Sequence, residues 1–482
     1  MRLSPALIVS VALPAVAGLL TQAPTPRRTL DDPAYSLESR AAIGAHHLCS
    51  GLWVVGSVTR RTPAEIVAQD IAPFKDFSWE KTFEYKIDSS ERTVTVTSPG
   101  QPPRTARFNG DQGCSILPRG ETTLHFTPTP VPRSLPDAAA QAWPMGDGNA
   151  ASPLPAGVDT AAVSAALDWG LAQTRHNTRA IVVVYKGKIV GERYAPGWTK
   201  DTPQISWSAG KSITAALVGI LVGKGALKLD DYAPVREWRA ANDPRGQIRV
   251  RDLMHMSSGL DFANLGLAGP ESYTRANKHM RVYFDGLNVF DHSVNNPLEI
   301  PPNTQWRYRN SDPLTLGKII RESVEKRGEP YLTFPQRELF DRIGARHVVL
   351  ETDAWGNFIM TGFDYASARD WARFGLLHLQ DGVWQGARVL PEGWVQFVSS
   401  PAPADASRGY GGLFWLNRGG ACVPEDAYMA SGHMGQYTMV IPSRDVVVVR
   451  MGPSPGGSQD YMSQLVARVL EGMPRQTAGV PD

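Results

Sequence analysis

The chain has 482 residues, 42% of them hydrophobic and 20% charged, enough apolar material for at least one large core and length enough for two units. Forty-nine basic against 47 acidic side chains leave a net charge of +2 with no long run of either sign, which excludes the electrostatic footprint of a nucleic-acid or anionic-membrane binder. The 45 glycines and 38 prolines follow no fixed period, so collagen-like and low-complexity architectures are excluded as well.

Met1-Arg2-Leu3 lead into a mostly apolar stretch from Ala6 to Leu20, with small residues at Ala15-Val16-Ala17 and Thr21-Gln22-Ala23. Residues 1–23 therefore read as a secretory signal peptide with either site as a cut, a short membrane anchor being the alternative. No other stretch reaches the roughly 18 apolar residues that cross a bilayer. The expected mature chain is soluble, periplasmic or extracellular, with no stable membrane span after leader cleavage.

A small α+β unit over residues 34–117 comes next. Ser36 to Phe74 reads helical in two pieces, the second capped by Thr62 with Pro63 at its first position. Thr82 to Ile87, Arg92 to Thr97 and Arg104 to Phe108 alternate as short strands. Cys49 and Cys114 share this unit, and export permits oxidation. A Cys49–Cys114 disulfide with Cys422 free is favoured over three separate buried thiols. His46 and His47 stand beside Cys49, but no second Cys or His cluster follows at zinc-ligand spacing, so neither a metal nor another cofactor is expected. Eight prolines between Pro118 and Pro155 then mark residues 118–157 as an extended linker.

The larger unit, residues 158–475, opens with a helix capped by Asp159 or Thr160 and running to about Gln173. Ile181 to Tyr185 and Lys188 to Arg193 form a hairpin turning at Lys186-Gly187. Gly412 to Leu416, Gln436 to Ile441 and Val446 to Met451 read as strands near the other end, before a closing helix from Gln459 to Leu470. The simplest assembly is an α/β (α+β) fold: one antiparallel sheet built from both ends, flanked by helices, with a large helical insertion between.

Ser208-Ala209-Gly210-Lys211 has the form S-x-x-K and opens a strongly apolar helical run from Ser212 to Leu221. Residues three apart share a helix face, so hydroxyl and amine come within reach, and a lysine made neutral by burial could take the serine proton. Ser78-Trp79-Glu80-Lys81 and Ser323-Val324-Glu325-Lys326 have the same form, the first before a strand-like stretch and the second late in a charged helix. Only Ser208 opens a buried-looking helix. Tyr308-Arg309-Asn310 is the one Y-x-N among the 14 tyrosines, and Ser431-Gly432-His433-Met434-Gly435-Gln436 enters an expected strand.

In this order the motifs resemble the serine β-lactamase and penicillin-binding protein superfamily. Arg251 to Leu260 looks like the segment that family carries before its helical insertion. Ser206-Trp207-Ser208 with Lys211-Ser212, and Asn310-Ser311-Asp312, are similar to the branch of 6-aminohexanoate-dimer hydrolases and esterases. The resemblance spans roughly residues 158 to 475. It implies a nucleophile at Ser208 and its base or proton shuttle at Lys211. Tyr308 would be a second acid/base, and Asn310 would hydrogen-bond Lys211 and the substrate. The backbone N–H groups of Ser208 and Gln436 would form an oxyanion hole. In the triplet ending at Gly435, His433 and Met434 would replace the usual lysine and threonine.

That replacement weakens an anion clamp, so the expected substrate is a neutral or short ester, amide or peptide, cleaved through an acyl-enzyme. A penicillin-binding-type D,D-peptidase or β-lactamase is the first alternative and a catalytically silent binding protein on the same fold the second. An α/β-hydrolase is disfavoured, because Ser206 stands where G-x-S-x-G needs its first glycine.

Overall fold

The computed structural model describes residues 37–73, 83–148, 153–262, 278–417, 423–455 and 458–474. The leader, the Ser78–Lys81 motif and Cys422 lie outside the described residues. No helix among the described residues is long and apolar enough to cross a membrane.

Helix α1 (Leu37–Cys49) packs on an antiparallel sheet of order β1 (Glu84–Asp88), β2 (Thr93–Thr97), β3 (Arg104–Phe108) and β4 (Cys114–Ile116). Ala41, Ala42 and Ala45 are fully buried, and their small side chains let α1 approach β2 and β3 closely. The alternation of polar and apolar residues announces the first three strands. It misses β4, whose three residues are all buried and so show no period. Helix α2 (Pro63–Ile66) begins with a capping box: Glu65 N donates to Thr62 Oγ1 at 3.2 Å, and Thr62 N donates to the Glu65 carboxylate at 2.7 Å. Cys49 and Cys114 are joined in a disulfide with Cα atoms 6.1 Å apart, tying the end of α1 to β4.

One buried carboxylate ties this N-terminal sheet and helix to the rest of the chain. Glu351 Oε1 accepts from Ser50 Oγ at 2.8 Å and from Cys114 N at 2.9 Å, while His46 Nε2 stands 2.8 Å from Oε2. The His46 ring also stacks on Phe363 with centroids 3.8 Å apart. The proline-rich stretch that follows runs along the surface, its carbonyls satisfied by arginines. Arg346 donates to Pro136 O at 2.9 Å, and Arg373 donates to Pro144 O and Gly146 O, each at 2.8 Å.

Helix α3 (Thr160–Ala172), capped by Asp159, leads into β5 (Ala180–Tyr185) and β6 (Lys188–Tyr194). Lys186 and Gly187 both have positive φ, 47° and 75°, as a two-residue hairpin turn requires. Beyond β7 (Gln204–Ile205) and α4 (Gly210–Gly223) comes the insertion. It holds α5 (Val250–Met254), α6 (Lys278–Phe284), α7 (Val289–Val294), α8 (Ser311–Lys326) and α9 (Asp341–Ile343). Strands β8 (Val348–Leu350) and β9 (Asp364–Ala366) pair with β7 in a small sheet of order β7-β9-β8. Next are α10 (Ala368–Leu379), a ribbon of β10 (Val383–Trp384) and β11 (Ala387–Arg388), and α11 (Trp394–Ser399). Then β12 (Trp415–Leu416), β13 (Tyr428–Gly432), β14 (Gln436–Ile441), β15 (Val446–Met451) and α12 (Gln459–Glu471) close the chain.

The main sheet has the order β12-β13-β14-β15-β5-β6 and is antiparallel throughout, so both ends of the larger unit build it as expected. Ile181, Val183 and Tyr185 face the layer of α3 and α12, whereas Ala180, Val182 and Val184 face the opposite layer, where α10 packs. Burial on both faces explains why β5 reads as an unbroken apolar run and β15 as a run of four valines ahead of Arg450. The strand expected over Gly412–Leu416 shrinks to two residues, because Leu413 takes φ +62° and leaves the extended region.

Replacing both cysteines of the Cys49–Cys114 pair by serine is expected to lower unfolding free energy by about 2–4 kcal/mol, measured by urea denaturation of the oxidised parent and the variant.

Candidate active site

Strand β7 delivers the chain to a single 3₁₀ turn, Trp207–Ala209, and α4 begins at the next residue. Ser208 thus lies just ahead of the helix and Lys211 just inside it, one turn later. Lys211 Nζ stands 3.0 Å from Ser208 Oγ and donates to the Thr361 carbonyl at 3.3 Å. The lysine is 1% exposed, and burial pushes its amine down to about 7 against the opposing pull of Asp364. An amine that is neutral near pH 7 has a lone pair to take a hydroxyl proton, which an ordinary surface lysine lacks. Of the other two S-x-x-K segments, Ser323–Lys326 lies at the end of α8.

The turn itself is strained. Trp207 has φ +51°, a left-handed conformation that costs a bulky side chain about 1–3 kcal/mol and persists only where packing over-determines it. Phe363, Tyr283 and His433 surround the Trp207 ring at centroid distances of 5.1, 5.8 and 5.8 Å.

Tyr308, in the loop before α8, is buried and shares a hydrogen bond with Ser208, and its ring centroid lies 4.8 Å from Lys211 Nζ. Burial raises its phenol above the ordinary tyrosine value, so it remains a neutral donor at physiological pH. Trp306, Tyr410 and Trp415 pack around it with centroids 5.2 to 6.4 Å away. Asn310 departs from expectation. Its amide nitrogen donates to His279 O at 2.8 Å and to Tyr283 Oη at 3.0 Å, and its buried Oδ1 has no partner. It makes no hydrogen bond to Lys211. Asn310 is the residue before α8 and its side chain turns towards α6, so the amine takes the Thr361 carbonyl instead.

His433, Met434 and Gly435 do not lie on a strand but form the tight turn between β13 and β14, with Met434 and Gly435 at φ +59° and +84°. The turn presses on the segment that leads into Ser208: a Cβ on Gly432 would fall 1.9 Å from Ser206 O. That contact brings the start of β14, Gln436, beside the Ser208 turn. Gln436 is anchored at its side chain, donating to Gly452 O and accepting from Gly452 N, each at 2.9 Å. Buried Arg450 braces the same turn by donating to Gly435 O at 2.7 Å. A Cβ on Gly435 would stand 2.2 Å from Ser458 Oγ and 2.9 Å from an Arg450 nitrogen, so glycine is required there by space as well as by φ. His433 is exposed at the tip.

Two residues of this neighbourhood carry no sequence signature. Arg450 reads only as a polar interruption in a valine-rich strand. His279, on α6, is buried with its ring 6.0 Å from that of Tyr308, and burial together with Lys211 and Arg309 keeps its imidazole neutral. His46 and His47 face inward beside Phe363, and burial lowers His47 to about 3. Among the described residues no three His, Cys, Asp or Glu are grouped to hold a metal ion.

Residues 163–471 match the Beta-lactamase family model, and the chain belongs to that family. It is 24% identical over 308 residues to the 6-aminohexanoate-dimer hydrolase of Paenarthrobacter ureafaciens, covering 61% of this chain and 77% of that protein. A Bacillus anthracis protein, a candidate 6-aminohexanoate-dimer hydrolase, superposes with a TM-score of 0.53 at 21% identity over 72% of this chain and 89% of that one. EstCE1, a hydrolase with promiscuous acyltransferase activity, superposes at 0.51 with 15% identity, covering 64% and 99%. The family is one of β-lactamase-fold serine hydrolases with esterase and amidase relatives, which bears out the resemblance and fold read from the motifs.

Gly435→Ala is expected to lose about 1–3 kcal/mol of stability by urea unfolding, together with any hydrolase activity, because the turn beside Ser208 cannot hold its conformation.

Proposed function

We propose that the mature protein is an exported serine hydrolase that cleaves an ester or amide bond through an acyl-enzyme on Ser208. The observation that carries this reading is the 3.0 Å approach of a fully buried lysine amine to a partly exposed serine hydroxyl. Lys211 takes the hydroxyl proton as Ser208 Oγ attacks the substrate carbonyl. The negative oxygen of the tetrahedral intermediate is stabilised by the backbone N–H groups of Ser208 and Gln436. Tyr308, already bonded to Ser208, hands a proton to the leaving group. Water then attacks the acyl-enzyme, with Tyr308 and Lys211 acting in reverse.

His433 and Met434 supply neither a permanent charge nor a hydroxyl for a substrate carboxylate, which favours neutral or short acyl groups over β-lactams and D-Ala-D-Ala termini. Export is supported by the apolar leader and by the Cys49–Cys114 disulfide, a cross-link that persists in oxidising compartments.

Purified mature protein is expected to release p-nitrophenol from p-nitrophenyl butyrate, and a folded Ser208→Ala variant is not; equal turnover by the two would dismiss Ser208 as nucleophile. Tyr308→Phe should lower kcat by about 10²–10⁴-fold. Lys211 works as a base only when deprotonated, so kcat/KM should climb as pH rises through about 7 and level off above it. A profile flat from pH 5 to 9 would count against a lysine base.

A further inference from the structure

Asp364, the first residue of β9, is 4% exposed and touches the nucleophile turn on both sides of Ser208. Pairing of β9 with β7 sets it opposite Ser206, whose backbone N donates to Asp364 O at 2.9 Å. The Ser206 hydroxyl also stands 2.9 Å from that carbonyl and in close contact with Asp364 Oδ2. Beyond Ser208, a Cβ on Gly210 would come 2.1 Å from Asp364 Oδ1, so the carboxyl fills the space a side chain would need there.

The protonated acid satisfies both contacts of the Ser206 hydroxyl. The Ser206 hydroxyl has one proton and faces two oxygens of Asp364. The carbonyl can only accept. If it takes the hydroxyl proton, the contact with Oδ2 is favourable only when Oδ2 carries a proton and donates it to Ser206 Oγ. The other oxygen, Oδ1, is buried without a partner. Asp364 borders a void of about 10 Å³ lined also by Gly210, Glu351 and Phe363, room for at most one water. A carboxylate there would be poorly solvated, whereas a neutral acid leaves only a carbonyl unsatisfied.

The ionisable groups around Asp364 are Lys211 on α4, Glu351 after β8 and Tyr283 on α6, with His46 of α1 reaching Glu351. Burial, reinforced by the Glu351 charge, pushes the Asp364 carboxyl up to about 8.

We propose that Asp364 is a positioning residue held in its protonated form beneath the nucleophile turn, where it donates to Ser206 and leaves Lys211 without a facing carboxylate. The proposal rests on the role given to Lys211 above. A neutral Asp364 fixes the turn ahead of Ser208 and removes the charge that would otherwise keep the lysine protonated.

The direct test is an infrared difference spectrum at pH 7 between the Ser208→Ala protein and the same protein carrying Asp364→Asn. A protonated-carboxyl C=O band present in the first and absent in the second is expected; a carboxylate band in its place would overturn the proposal. This measurement needs no turnover, so its outcome is separate from any failure of the Ser208 and Lys211 reading. In the otherwise unmutated enzyme, Asp364→Ala should lower kcat/KM for p-nitrophenyl butyrate by about 10-fold or more. Asp364→Asn, which can still donate to Ser206, should recover most of that loss with the acid limb of the pH profile at its parent midpoint. An acid limb displaced downward by about one pH unit in Asp364→Asn would mean that the parent carries a carboxylate holding the lysine's proton, and would likewise overturn the proposal. Should Asp364→Ala not fold, the infrared band and the Asp364→Asn profile decide between these outcomes.

Discussion

An ammonium group taken out of water loses hydration that only a close counter-charge can replace, and Lys211 is taken out of water completely. The loss falls on the charged form alone, so burial brings a side chain that is ordinarily a cation to a balance of cation and neutral amine near pH 7. The reaction proposed for the site depends on that shift, because a serine hydroxyl is a weak nucleophile until a base stands within hydrogen-bond distance. The surrounding architecture serves to keep water from one amine while leaving the serine beside it partly exposed. Helix α4 achieves the first by being buried from Gly210 to Leu221, and the 3₁₀ turn achieves the second by lifting Ser208 out ahead of the helix.

Three separate parts of the chain supply the walls. From the insertion come Tyr308 and the α6 residues Tyr283 and His279. Tyr283 donates to the Thr361 carbonyl at 2.8 Å, the same oxygen that Lys211 uses. The main sheet supplies the turn from His433 to Gly435, held from behind by Arg450. The third wall comes from outside the segment matched by the family model: α1 and its disulfide reach Glu351 and Phe363, and His47 approaches Trp207 with ring centroids 5.7 Å apart. The N-terminal α+β unit therefore supports the rear of the Trp207–Ala209 turn and does not hang beside the hydrolase fold as an independent module.

Buried polar groups in this molecule are arranged around backbone as much as around one another. Arg450, Arg346 and Arg373 each spend their donors on carbonyls of loops that have no ladder of their own. Such arginines are expensive to strand, and removing the loop would leave a desolvated cation, so loop and arginine stabilise one another. The same logic holds the Pro-rich stretch before α3 against the domain surface although it contains almost no regular structure.

Local features were legible from the residues in order. The i, i+3 relation of Ser208 and Lys211, the capping box at Thr62, the two-residue hairpin at Lys186-Gly187 and the all-apolar strands each depend on neighbours within a few positions, so the amino-acid order alone determined them. Strand β13 escaped because its buried residues show no alternation, and the triplet at His433 proved to be a turn because Met434 and Gly435 adopt positive φ. Asn310 was placed in the right neighbourhood but with the wrong partner. Its choice of His279 and Tyr283 over Lys211 depends on where α6 settles, and a residue pattern does not encode that distance. Asp364, Glu351, His279 and Arg450 stand far along the chain from the residues they serve. Their contacts follow from which desolvated donors and acceptors meet when separate segments pack, and that meeting is decided only in the folded structure.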